Sequence, residues 1–180
     1  MKKYRIALMP GDGIGPEICE TTKQVTEEVV HHFAPESLEW VHLPIGWEAI
    51  QQKKPPLPLE TLDELEACDG WVLGPHDSAS YPEQYRQSLN PSGAIRKHFD
   101  LYANIRPARS VSSNPYSKKA FDLVIVRENS EGFYADRNMH LGTGEFMPDP
   151  DTALAVGVFT RTACERIARS AFELAMNRNK

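Results

Sequence analysis

At 180 residues, 41% hydrophobic and 25% charged, the chain has the composition of a folded globular protein, long enough for one ordinary domain or parts of two smaller ones. A net charge of −5 excludes a general attraction to nucleic acid or to an anionic membrane, so any anionic ligand must be held by a local basic cluster. Cys19, Cys68 and Cys164 are scattered and in no metal-ligand spacing, which is expected of reduced packing residues in a cytoplasmic protein; Ile6 to Met9 is too short an apolar run for a signal peptide or a membrane span.

Tyr4 to Met9 reads as a strand that stops at Pro10-Gly11-Asp12-Gly13-Ile14-Gly15-Pro16, and Pro16 suits the first turn of a helix. Ile18, Val25, Val29 and Phe33 carry helical spacing to Phe33. A glycine loop between strand and helix invites a pyrophosphate reading, but the last glycine of that fingerprint is absent, Pro16 removes an amide, and Asp12 would repel phosphate. A loop shaped for close backbone packing near a ligand is the expectation.

Leu38 to Leu43 reads as a second strand, followed by Gly46 to Ile50 and a proline link at Pro55 to Pro58. Leu59, Leu62 and Leu65 mark a short amphipathic helix, and Gly70 to Gly74 a strand that ends in the polar loop Pro75-His76-Asp77-Ser78. A helix opens at Pro91-Ser92 and runs to His98; Leu101 to Pro107 is a strand ending on arginine. Asp122 to Val126 reads as a buried strand that delivers Arg127-Glu128-Asn129-Ser130-Glu131-Gly132-Phe133-Tyr134 to a cleft at its carboxyl end. A loop extends from Gly142 to Asp151, Thr152 to Thr160 has strand composition, and Thr162-x-x-Glu165 is a capping-box pattern for a last helix with Ile167, Ala171, Leu174 and Ala175 on one side. Strands alternating with helices predict α/β architecture on a mainly parallel sheet.

Arg96, Arg106 and Arg127, brought together, would suit a small acid with more than one carboxylate, because each guanidinium binds a carboxylate through two parallel hydrogen bonds. Asn90, Ser92 and Asn129 offer neutral hydrogen bonds, and the Tyr134 hydroxyl can donate a proton. The competing bland reading makes the arginines and glutamates surface ion pairs and Tyr134 a core ring.

Taken together, Gly11-Asp12-Gly13-Ile14-Gly15-Pro16-Glu17, Arg96-Lys97-x-Phe99-Asp100-Leu101-Tyr102-Ala103-Asn104-Ile105-Arg106-Pro107, Arg127 to Tyr134, and Glu165-Arg166-Ile167-Ala168 before Ala171-Phe172 resemble the β-decarboxylating dehydrogenases. That family comprises the isocitrate, 3-isopropylmalate, homoisocitrate and tartrate dehydrogenases. The resemblance implies an isopropylmalate dehydrogenase-like α/β fold, incomplete, as the first half of a two-domain protein. It implies residues 1–100 in a larger domain and 101–180 at the start of a smaller one, with a dimerisation arm at about 135–152.

By motif position, Arg96, Arg106 and Arg127, with Asn90 and Ser92, are implied to bind the substrate, Tyr134 to protonate the product, and Ile14 and Ser78 to lie beside the nicotinamide of NAD or NADP. Mg²⁺ or Mn²⁺ is implied as Lewis acid, its ligands and the catalytic lysine expected in a portion beyond Lys180. Asn90 stands where many isocitrate-type members have serine and Ser92 where some have asparagine. Asn129-Ser130-Glu131 is closer to the isocitrate and tartrate branches. The expected protein is a homodimer acting on a small polycarboxylate, with no nucleic acid or membrane partner, and inactive as this stretch alone. The alternative is a non-catalytic polycarboxylate-binding or regulatory module.

Overall fold

A computed structural model of the chain describes residues 3–35, 37–86, 90–111, 116, 119–133, 139–142 and 144–178. They form two compact units, Met1–Ile95 and Arg96–Lys180.

In the first unit, β1 (Tyr4–Met9) lies between β2 (Leu38–His42) and β3 (Gly70–Leu73), all parallel, in the order β2-β1-β3. The register runs from Tyr4 opposite Leu38 and from Ile6 opposite Gly70. A central parallel strand is covered on both faces, which is why Ala7, Leu8 and Met9 are buried in succession rather than alternately. Among the described residues the helices are α1 (Gly15–Phe33), α2 (Trp47–Gln51), α3 (Leu59–Glu66), α4 (Glu83–Arg86) and α5 (Pro91–His98), the last crossing the boundary at Ile95, with a 3₁₀ turn at Ser78–Ser80. Ile45, Leu65, Tyr81 and Ile95 complete the core.

The spacing of Ile18, Val25, Val29 and Phe33 marks α1 correctly as a helix, but that stripe is its exposed side, Phe33 being 86% exposed. The sheet side carries Gly15, Cys19, Lys23, Thr26 and Val30. Small residues are required where α1 begins: a Cβ on Gly15 would stand 2.1 Å from the Pro10 carbonyl oxygen. Of the cysteines, Cys19 is buried and Cys68 half-buried, and burial pushes both thiols above their ordinary range. Cys164 is exposed, so the packing reading fails there.

The second unit departs from the parallel expectation. β4 (Ala103–Arg109) and β5 (Asp122–Glu128) form an antiparallel pair from Ala103 opposite Glu128 to Arg109 opposite Asp122. β6 (Glu145–Asp149), inside what reads as loop in the sequence, pairs antiparallel with β7 (Thr152–Ala155), which opens the stretch of strand composition. β4 starts two residues later than predicted because Leu101 and Tyr102 donate their amides to Arg96 O at 2.9 Å and Asp100 O at 2.7 Å, in a turn rather than a ladder. Nor is β5 a buried strand: Leu123 and Ile125 are exposed, while Val124, Val126 and Glu128 on its other side are half-buried, and the strand packs on α6 (Arg161–Met176).

α6 is capped two residues earlier than the capping-box pattern suggests. Thr160 Oγ1 accepts from Ala163 N at 3.2 Å, and the Thr160 hydroxyl and amide both donate to the Glu131 carboxylate at 2.7 Å. Thr162 lies exposed in the first turn. Ile167, Ala171 and Leu174 form the inner stripe as expected, but Ala175 is exposed. Thr160→Ala is expected to destabilise the second unit by about 1–2 kcal/mol and Thr162→Ala by less than about 0.5 kcal/mol, read as the shift in urea midpoint. Equal effects would contradict the assigned cap.

Candidate active site

Parallel strands present their following loops along one edge, so in the first unit the loops after β1 and β3 are neighbours. Ile14 and Ser78 stand in these loops. Ile14 is 60% exposed just ahead of α1, and Ser78 is half-buried at the start of the 3₁₀ turn. The glycine loop spends its amides inside the protein, Asp12 N donating to Pro75 O at 2.7 Å and Gly15 N to Asp12 O at 2.8 Å, which is the close backbone packing expected in place of a phosphate cradle.

What the sequence reading did not find is the use of Asp12. Its side chain is turned inward and the residue is 4% exposed. Oδ1 accepts from Trp47 N at 2.8 Å, and Oδ2 accepts from Asp77 N at 2.9 Å and from the Tyr81 hydroxyl at 2.5 Å. A Cβ on Gly46, whose φ is +63°, would stand 2.4 Å from that Oδ1, so glycine is needed both for the turn and for the carboxylate's approach. Trp47 packs edge-on against Tyr81 at 5.8 Å and donates its indole N–H to Ser80 Oγ at 2.9 Å. The one sequence signal was a charged residue between two glycines at the end of a buried strand.

Beside this cluster, His76 is held below its ordinary range by burial, against the opposing pull of Asp12, and its Nε2 is buried with no hydrogen-bond partner. Burial, then the hydrogen bond to Asp12 and the charges of Asp12 and Asp77, push the Tyr81 phenol far above its ordinary value of 10.0.

In the second unit, antiparallel register decides which side chains share a face. Asn104 stands opposite Arg127 and Arg106 opposite Ile125, so Asn104, Arg106, Ile125 and Arg127 lie on one face, the two arginines as diagonal neighbours. Arg106, Ile125 and Arg127 are exposed, and Arg106 Nε donates to Asn104 Oδ1 at 3.0 Å. Arg96 lies half-buried in the last turn of α5. Asn90 caps that helix, its Oδ1 accepting from Gly93 N at 2.8 Å and its carbonyl from Ala94 N at 2.9 Å; Ser92 is in the first turn. Tyr134 lies outside the described residues.

The polar run after β5 is largely an anchor. Glu128 accepts from Ser130 N, Glu131 N and the Ser130 hydroxyl at 2.9, 2.7 and 2.5 Å. Burial alone would raise its carboxyl, but the Ser130 hydroxyl and the backbone amides outweigh it and hold Glu128 below the usual carboxylate range. Arg166 donates to Ser130 Oγ at 2.7 Å and to Asp100 at 2.8 and 3.0 Å, with its guanidinium 4.5 Å over the Tyr102 ring. Asn129 N donates to Tyr102 O at 2.9 Å. Arg127 and Glu128 also border a cleft of about 370 Å³ walled by Phe133, Phe159 and Ile167.

No group of three or more His, Cys, Asp or Glu side chains among the described residues is placed to hold a metal ion. Among those residues, no helix is long and apolar enough to cross a membrane.

The fold and its two patches thus define an α/β protein with loops gathered at the carboxyl edge of a parallel sheet in one unit and two neighbouring arginines on an antiparallel ribbon in the other. Comparison with known proteins narrows the class. The family model for isocitrate/isopropylmalate dehydrogenase matches residues 5–180, and the chain belongs to that family. It is 36% identical over 178 residues to an isocitrate/homoisocitrate dehydrogenase of Thermus thermophilus, covering 97% of this chain and 48% of that protein. It is 34% identical over 190 residues to a 3-isopropylmalate dehydrogenase of Prochlorococcus marinus, covering 100% and 52%.

Among solved structures, an isocitrate dehydrogenase from Methylococcus capsulatus superposes with a TM-score of 0.72 at 32% identity, over 97% of this chain and 48% of that one. A β-decarboxylating dehydrogenase from Thermococcus kodakarensis gives 0.66 at 29% identity, over 97% and 46%. The chain spans about half the length of the curated relatives it matches.

The Tyr81 phenol gives a pH prediction. An unfolded chain loses this proton from about pH 10 upward whereas the folded chain keeps it, so the contribution is complete below about pH 10 and is lost as pH rises past it. Between about pH 10 and 11.5, the wild-type chain is expected to lose stability more steeply than Tyr81→Phe, by up to about 1.4 kcal/mol per pH unit. Parallel slopes in urea titrations would contradict the assignment.

Proposed function

We propose that the chain is the carboxylate-gripping portion of an NAD- or NADP-linked oxidative decarboxylase of a 2-hydroxy di- or tricarboxylic acid, of isocitrate, homoisocitrate, tartrate or isopropylmalate type. The observation that carries this reading is the pairing of β4 with β5, which sets Arg106 and Arg127 on one exposed face. Two guanidiniums side by side match an acid with carboxylates on adjacent carbons, each able to take two parallel N–H···O bonds. Arg96 is assigned the remaining carboxylate, and Asn90 and Ser92 are assigned to the substrate's variable side chain. Asn90 Oδ1 is used by its helix cap, so its amide NH₂ is the group offered.

Ile14 and Ser78 are assigned to the nicotinamide, with Ile14 giving an apolar surface and Ser78 a hydroxyl. A bound dinucleotide would supply the hydride acceptor for the 2-hydroxyl carbon, and Mg²⁺ or Mn²⁺ would supply Lewis-acid polarisation of the carbonyl. The described residues supply no set to hold that ion, and no step is assigned to it on this chain. Tyr134 is assigned the protonation of the product. The proposed location is the cytoplasm. We read residues 1–100 as part of the larger domain and 101–180 as the start of the smaller one, and the stretch 135–152 as an arm of a homodimer. That reading is supported by the exposed Phe146, Met147 and Leu154 on the β6–β7 hairpin, since a lone hairpin is marginal in water.

The complete protein is expected to reduce NAD or NADP with a 2-hydroxy di- or tricarboxylate and Mn²⁺. Arg127→Ala should lower kcat/KM about a hundredfold or more with an unchanged circular dichroism spectrum. Inactivity on malate-, tartrate- and isocitrate-type acids would refute the enzyme reading. Binding of isocitrate by the 180-residue chain in calorimetry, alongside that inactivity, would favour a polycarboxylate-binding module.

A further inference from the structure

Asp12 has no role in the reading above, yet it touches every loop on the carboxyl edge of the parallel sheet. It lies two residues before Ile14, it accepts from the amide of Asp77 directly before Ser78, and it accepts from Trp47 N at the turn after β2. The turn carrying Ser78 is held from its far end as well: the Tyr81 hydroxyl donates to Asp12, and Ser80 Oγ, bonded by the Trp47 indole, donates to Asp77 O at 2.8 Å. All three partners of the Asp12 side chain are donors, two N–H groups and a phenol. An acceptor-only carboxylate satisfies them together, whereas an amide of the same shape would turn its NH₂ toward at least one donor. The site therefore calls for aspartate and excludes asparagine.

We infer that Asp12 is a positioning residue of the dinucleotide site: its inward carboxylate fixes the spacing between Ile14 and Ser78, and Tyr81 completes the bond set that holds it. The inference rests on the assignment of Ile14 and Ser78 to the nicotinamide. The negative charge that in sequence argues against a phosphate nearby is directed away from solvent and spent on internal donors, which leaves the rim of the loop to Ile14.

The test has two parts. In ¹H–¹⁵N spectra of the 180-residue chain, Asp12→Asn and Tyr81→Phe are each expected to shift the amides of Ile14 and Ser78 together while leaving those of β5 in place. In the complete enzyme, Tyr81→Phe is expected to raise the dinucleotide KM about tenfold and leave the acid's KM within about twofold, with a larger split for Asp12→Asn. A merely structural role would lower the folded fraction without separating the two KM values. Loops that respond independently, or coupled shifts with an unchanged dinucleotide KM, overturn the inference. Coupled shifts in a complete protein that has no dehydrogenase activity instead remove the functional reading, and this inference with it.

Discussion

The Asp12 carboxylate is the constraint around which the first unit is arranged. Removing a charge from water is tolerable only where donors replace the solvent, and here two backbone amides and a phenol do so. Each donor comes from a different part of the chain: Trp47 opens α2, Asp77 precedes the 3₁₀ turn, and Tyr81 is the largest fully buried side chain among the described residues. Met9 and Ile45 pack the core close in sequence to the Asp12 loop and the Gly46 turn. The loops at the carboxyl edge of the parallel sheet are thereby tied to one another through one side chain.

The second unit depends on a different device. Its described residues bury little apolar surface, and Ala163 is the buried hydrophobic residue among them. Order there comes from charge-assisted hydrogen bonds: Glu128 gathers the turn after β5, Arg166 ties that turn to Asp100 across the Tyr102 ring, and Glu131 holds the cap of α6. The acids of the Arg127–Glu131 run therefore serve as scaffold, while Arg127, on the opposite face from Glu128, is turned to the exposed side with Arg106. Alternation along a single strand separates the scaffold side chain Glu128 from the exposed Arg127.

Much of this was legible in the residues. β1, α1 and α3 follow from apolar runs, glycine and proline punctuation and helical spacing, and the family follows from motifs spread over nearly the whole chain. Direction of burial was not. The Ile18 to Phe33 stripe looks like a core face by period alone, but helix approach to the sheet is governed by Gly15 and Cys19, whose small size gives no periodic signal. The antiparallel pairing of β4 with β5 depends on contacts distant in sequence, and the β6 strand contains Pro148 and turn-forming acids that locally favour a loop. Thr160 outcompetes Thr162 as cap because Glu131, 29 residues away, fixes its hydroxyl and amide. Asp12 reads as an obstacle to phosphate until its donors, 35, 65 and 69 residues on, are seen around it.

The central physical claim is that Asp12 and Tyr81 act as one unit, and a double-mutant cycle on the 180-residue chain tests it most directly. Stability is measured in urea for wild type, Asp12→Asn, Tyr81→Phe and the double variant. The account predicts a coupling energy of about 1.5–3 kcal/mol, as befits a buried hydrogen bond to a charged group. Additive single effects, with coupling within about 0.3 kcal/mol of zero, would contradict it.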